Sequence, residues 1–181
     1  MRKITLLLAT ALSCIICNAQ HINKYGVPFI TNYKPNTAQT LDIVQDQRGI
    51  LYFANDEAII EYDGARWNKI NMHWVKSLSV DEDNIVHVGA EGDFGYLFPN
   101  KVGELEFVSL TSKLPDSVRN ENIHKTYSKG KTTYYCSMSK IFIVEKDSIL
   151  KIVELPEKSF LTFMKGDTLV VSNTDNELSL Y

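Results

Sequence analysis

Cysteine is scarce in this chain, a basic excess is missing, and apolar runs long enough to span a membrane are absent. Two of the three cysteines, Cys14 and Cys17, lie inside an apolar N-terminal stretch. Their Cys-x-x-Cys spacing therefore reads as part of a leader, because the redox motif belongs at a helix start in a folded domain. Beyond that stretch only Cys136 remains, in a strand-like apolar run where it reads as a small core residue. No internal disulfide is then available to the mature chain. The formal net charge is -3, and it becomes more negative once Arg2 and Lys3 are removed. A nucleic-acid-binding surface would need the opposite sign.

Catalytic signatures are missing as well. There is no Gly-x-Ser-x-Gly, no phosphate-cradling glycine loop and no cysteine with supporting context. His21, His73, His87 and His124 have none of the short spacings of a metal site. Asp81-Glu82-Asp83-Asn84 begins like a calcium loop, but Ile85 and Val86 follow where oxygen ligands should. The sequence thus predicts no self-contained enzyme, no catalytic residues, no metal and no cofactor.

What is there begins with a targeting signal. Arg2 and Lys3 precede an apolar stretch from Ile4 to Cys17, and Cys17-Asn18-Ala19 places small residues for cleavage before Gln20. Residues 1–19 are read as a signal peptide, too short to span a membrane comfortably. Ala11 is a poor match to the large aliphatic residue of a lipoprotein signal. The prediction is export, to the periplasmic or extracellular side of the inner membrane.

From about residue 40 the chain falls into short alternating strands, with no helical period sustained over three turns. Leu41 to Asp46, Gly49 to Ala54, Ala58 to Tyr62 and Trp67 to Ile70 make four strands, and Asp63-Gly64 is a hairpin signal. Ser77 to Asp81, Asn84 to Gly89, Phe94 to Phe98 and Leu105 to Ser109 repeat the unit. Fainter copies follow over Ile123–Val153 and from Phe160 to Tyr181. Four antiparallel strands per unit, at a period near forty, predict an all-β fold of β-propeller blades. A β-sandwich is the other architecture open to short alternating strands, but it would not require the Asp-turn-Gly pair to recur in register. The predicted blades run over about 41–72, 76–112, 122–156 and 160–181 of a partial propeller spanning 41–181. That is about three full blades and part of a fourth, incomplete at its last strand and read as an N-terminal fragment. Residues 20–40 form a lead-in, with Val27–Ile30 as a ring-closing strand. Tyr52, Tyr62, Trp67, Phe94, Phe98 and Phe107 are expected as interblade packing.

The run from Leu41 to Trp67 resembles the repeat of the two-component regulator propeller family. Val88-Gly-Ala-Glu-Gly-Asp-Phe-Gly-Tyr96 is similar to a second blade of such sensors, as is the opening Tyr25-Gly-Val-Pro-Phe-Ile with Asn32-Tyr33. The likeness covers residues 25 to 110 and fades beyond about 120. Departures are Ala58 where the repeat commonly has glycine, Asn84 at the position of Gly49, and a third copy without the Asp-Gly turn. The resemblance implies the exported sensor region of a Bacteroidetes-type regulator. In that family a triple-tyrosine β-sandwich, a membrane helix and a kinase, cyclase or DNA-binding domain follow.

Function is expected in loops at one end of the propeller axis, where several blades converge. The candidates are Asn71 to Val75 and Ala90 to Phe94, with Trp74, His73, Glu91 and Asp93 as ligand-binding residues. An exposed Trp74 would stack on a sugar or pack on a partner; a buried one would be interblade filling. The expected partners are a small, glycan-derived ligand and downstream domains of the same polypeptide, with no nucleic acid in this region. Part of a secreted lyase- or hydrolase-like propeller enzyme, or a non-catalytic surface scaffold, are the competing readings.

Overall fold

Strands of the repeat form where β-branched and aromatic residues alternate between turn residues, and their burial follows their place in each sheet. The computed structural model describes residues 39–175 and 177–181. The chain divides into two units, Met1–Lys34 and Pro35–Tyr181, and every described residue lies in the second. The leader and the strand expected at Val27–Ile30 lie outside the described residues.

The first sheet has β1 (Thr40–Gln45), β2 (Leu51–Asn55), β3 (Ile59–Tyr62) and β4 (Trp67–Ile70) in sequence order, each antiparallel to the next. The second has β5 (Val75–Val80), β6 (Val86–Ala90), β7 (Phe94–Pro99) and β8 (Leu105–Ser109) in the same order. Two 3-10 turns, Thr111–Lys113 and Asp116–Val118, lead to β9 (Lys125–Lys129), β10 (Thr132–Cys136), β11 (Lys140–Glu145) and β12 (Ser148–Glu154). The last described sheet is β13 (Ser159–Lys165), β14 (Thr168–Asn173) and β15 (Leu178–Leu180). The all-β blade architecture expected from the repeat is what the chain adopts.

The turn after the innermost strand explains why the Asp recurs. Asp46 Oδ1 accepts from the amides of Arg48 and Ile50 at 2.9 and 3.0 Å, and the Gly49 amide donates to the Asp46 carbonyl at 3.0 Å. Asp81 repeats this, accepting from Ile85 N–H at 2.8 Å on Oδ1 and from Asn84 N–H at 3.1 Å on its carbonyl. The turn needs a left-handed residue: Gly49 has φ +85 and Asn84 has φ +65. Asparagine is among the few non-glycine residues that tolerate this region, which is why the repeat survives its departure at residue 84.

Inner strands are covered on both faces, so β6 (Val86–Ala90) is buried throughout. Tyr52, Ile59, Ile70, Val86, Val88 and Leu97 fill the space between the first two sheets. Phe94 packs at 4.6 Å from Tyr135 and 4.8 Å from Phe142, ring to ring, between the second and third. Cys136, Ile141, Leu169 and Val171 fill the next interface. Of the aromatics expected as interblade packing, Tyr52 and Phe94 are buried, but Trp67 is 41% and Phe98 51% exposed. Their strands explain this: Trp67 opens the edge strand β4, and Phe98 stands at the outer end of β7.

Toward the axis the innermost strands lie side by side. Asp42 Oδ2 accepts from Leu78 N–H at 3.1 Å, and hydroxyl pairs Ser77–Thr126 and Ser79–Ser128, each 2.7 Å, join β5 to β9. Tyr127 OH donates to the Thr162 carbonyl, tying β9 to β13. Gly89 permits the middle contact, because a Cβ there would meet Ile123 Cγ2, Ser77 Oγ and Thr126 Oγ1 at 2.5 to 2.7 Å. No helix among the described residues is long and apolar enough to cross a membrane.

Candidate functional site

One end of the stack is built by the turns β2–β3, β6–β7 and β10–β11 together with the residue that leads into each following innermost strand. That leading residue ties back to the preceding sheet every time. Trp74 N–H donates to the Asp56 carbonyl at 2.9 Å, Ile123 N–H to Ala90 at 3.0 Å, and Ser159 N–H to Met138 at 2.8 Å. The three positions are equivalent, each three residues before Ser77, Thr126 or Thr162 on the innermost strands.

Their side chains are not. Ile123 and Ser159 are fully buried, whereas Trp74 is 58% exposed. The backbone differs as well: Trp74 has φ +58, a conformation that costs a non-glycine residue on the order of 1–3 kcal/mol. This left-handed backbone goes with an indole that stands open to solvent at the rim. His73 is exposed beside it.

Glu91 joins this group through the main chain, its amide donating to the Trp74 carbonyl at 3.1 Å. Its carboxylate pairs with Lys76 at 3.3 Å, both partly exposed, so the pair is weak and open to exchange with a ligand. The structure thus brings Trp74, His73 and Glu91 together. Asp93 is committed elsewhere: Oδ1 accepts from Ser109 Oγ, Thr111 Oγ1 and the Phe94 amide at 2.7, 2.8 and 2.7 Å. Asp93 Oδ1 therefore pins the end of β8.

Sequence reasoning missed several residues of this end. Lys76 carried no signal beyond its place in an innermost strand. Asp42 and Lys125 pair at 3.5 Å between the first and third sheets, a contact that exists only once the blades are stacked. Asn122 Oδ1 accepts from the Gly92 amide at 3.0 Å, holding the β6–β7 turn. His124 has both ring nitrogens buried without a hydrogen-bond partner, and burial together with adjacent Lys125 holds its imidazole below the ordinary value. Farther out, Lys140 and Glu121 pair at 2.8 Å. Burial opposes ionisation of Glu121, but Lys140 and the serine hydroxyls outweigh it and hold the carboxyl below its usual range.

Cavities also lie away from this end, among them one of about 420 Å³ along the innermost strands at Val44, Leu78 and Tyr127. Another of about 790 Å³ opens between the first two sheets and is lined by Arg48, Glu61, Asn68 and Glu104 among others. A smaller one of about 260 Å³ lies at Tyr96 and Phe98. No group of three or more His, Cys, Asp or Glu among the described residues is arranged to hold a metal ion.

No family model and no curated protein matches the sequence. Solved structures do. The computationally designed Ika4 protein superposes with TM-score 0.64 at 13% identity, over 83% of this chain and 94% of that one. A streptogramin B lyase gives 0.56 at 11%, over 78% of this chain and 54% of the lyase. The extracellular domain of the putative hybrid two component system BT3049 from B. thetaiotaomicron gives 0.56 at 12%, over 78% of this chain and 20% of that one. The WD40 β-propeller domain of Doa1 gives 0.58 at 11%, and this chain spans 51% of its length. At such identities the likeness concerns the fold alone, and the fold is that of a β-propeller.

Proposed function

We propose that this chain is part of an exported ligand-sensing β-propeller that feeds a two-component or transcriptional regulator, with its ligand at the Trp74 rim. The observation that carries the reading is the everted indole, on a left-handed backbone where the next two blades bury their equivalents. A flat aromatic beside an exchangeable Lys–Glu pair and an exposed imidazole suits a sugar ring, which offers an apolar face and a fringe of hydroxyls. A glycan fragment is the ligand class. The leader, the repeat resemblance and the likeness to the BT3049 extracellular domain support placement as an input module.

The test is binding of an oligosaccharide panel to the full-length encoded polypeptide, by calorimetry and indole fluorescence, with Trp74→Ala beside the wild type. Saturable binding that Trp74→Ala abolishes is the expected result. Binding that persists in Trp74→Ala would move the site elsewhere. Turnover of a polysaccharide would favour a secreted enzyme, and absence of any ligand a surface scaffold.

A further inference from the structure

The interface between the second and third sheets encloses a polar chain that the rim does not use. Asp81, in the β5–β6 turn, His87, on β6, and Tyr135, on β10, are all buried. His87 Nε2 lies 2.9 Å from Asp81 Oδ2, and Nδ1 lies 2.8 Å from Tyr135 OH. The same hydroxyl lies 2.7 Å from the Gly95 carbonyl on β7. A carbonyl only accepts, and a phenol has one proton. Tyr135 can therefore give that proton to Gly95 or to a neutral imidazole, but not fully to both.

Counting protons separates two arrangements of the same heavy atoms. With His87 neutral and Nε2–H donating to the Asp81 carboxylate, Nδ1 is an acceptor and takes the Tyr135 proton, leaving the Gly95 carbonyl without it. With a second proton on Nδ1, that N–H donates to the tyrosine oxygen. The hydroxyl then turns to Gly95, and every group is satisfied. We propose that Asp81, His87 and Tyr135 form a proton-operated coupling between the second and third blades, in which protonation of His87 redirects the Tyr135 hydroxyl to the Gly95 carbonyl.

The proton comes from solvent, and the cavity at Tyr96 and Phe98 provides the approach, with Asp81 and His87 in its lining. Other charged or titratable groups face the pair from each neighbouring element. Tyr96 on β7 has its ring 6.4 Å from His87, and Asp83, Lys146 and Asp147 line the same cavity. Asp83 is paired with Lys131 at 3.5 Å and Asp147 with Lys113 at 3.1 Å, so the buried Asp81 carboxylate is the direct counter-charge. Burial holds the imidazole below its ordinary value against the pull of Asp81, so the exchange belongs to the acid side of neutrality.

The experiment is NMR titration of the full chain labelled with 15N and 13C, with Tyr135→Phe beside it. The expected result has three parts. Neutral His87 carries its proton on Nε2 at pH 8. Acidification protonates Nδ1 while the chain stays folded. The Gly95 carbonyl carbon then moves downfield with the same midpoint in wild type, and stays flat in Tyr135→Phe. A neutral Nδ1–H tautomer, protonation only on unfolding, or a wild-type Gly95 carbonyl indifferent to His87 would each overturn the coupling. Should Tyr135→Phe fail to fold, the wild-type titration decides alone.

Discussion

Replacing Gly89 with alanine tests the stacking of the blades at one atom. The added Cβ would lie 2.5 Å from Ile123 Cγ2, 2.6 Å from Ser77 Oγ and 2.7 Å from Thr126 Oγ1. All three side chains are buried, so none can swing into solvent. Overpacking of this kind costs about 1–3 kcal/mol. Displacing Ser77 from Thr126, now 2.7 Å apart, adds on the order of 1 kcal/mol for the lost hydrogen bond. Alanine's lower backbone entropy in the unfolded state works the other way, by roughly 0.5–1 kcal/mol. The expected net loss is about 1–3 kcal/mol, a large share of the ~5–15 kcal/mol typical of a folded domain. Urea unfolding would show the midpoint falling with the slope unchanged. In the Gly89→Ala/Ser77→Ala double variant the two costs should fail to add, because both act on one contact. A Gly89→Ala midpoint equal to wild type would refute the close approach of β6 to β9.

Four further outcomes are expected. Trp74→Gly should leave stability within about 1 kcal/mol of wild type or raise it, by relieving positive φ, while oligosaccharide binding is lost; calorimetry with thermal melting separates the two. Asn84→Ala should cost roughly 1–2 kcal/mol for the left-handed backbone and also remove the 2.8 Å bond from the Gln47 amide, measured by chemical denaturation. Cys136, its thiol pushed up to about 12 by burial despite a bond from Thr162, should resist a thiol reagent at pH 8 in the folded chain and react on unfolding. Burial opposes ionisation of Asp46, but Arg48 and the Arg48 and Ile50 amides outweigh it and hold its carboxyl below the ordinary value. Its contribution should therefore be complete above about pH 5 and lost as pH falls through the lowered folded value; Asp46→Asn should flatten the acid limb of the stability profile.

Much of the architecture was legible because the repeat writes its turns in side chains. Asp46 and Asp81 mark the same turn, and Asn84 substitutes for Gly49 because both accept the left-handed backbone. Burial was less legible at edges. Trp67 and Phe98 fit the alternation of their strands, yet an edge strand and a strand end leave them half open. At the rim, local sequence nominated Trp74 but could not say which way it points, since that goes with a backbone angle absent from the equivalent Ile123 and Ser159. The Asp42–Lys125 pair and the His87–Tyr135 bond join separate blades. Only stacking creates them, so no spacing along the chain announces them.

The strand order within every described sheet has a kinetic consequence. Each strand pairs only with its sequence neighbour, so a blade closes by short hairpins before any distant loop must be closed. The demanding steps are the docking contacts, such as Ser77 with Thr126, 49 residues apart. Hairpins of this kind form in about 1–10 μs, and loop-closure cost grows only slowly with length. Folding should then proceed as rapid formation of individual blades followed by their addition one upon another. Damage to a single interface would slow its own docking step and leave the hairpins on either side intact.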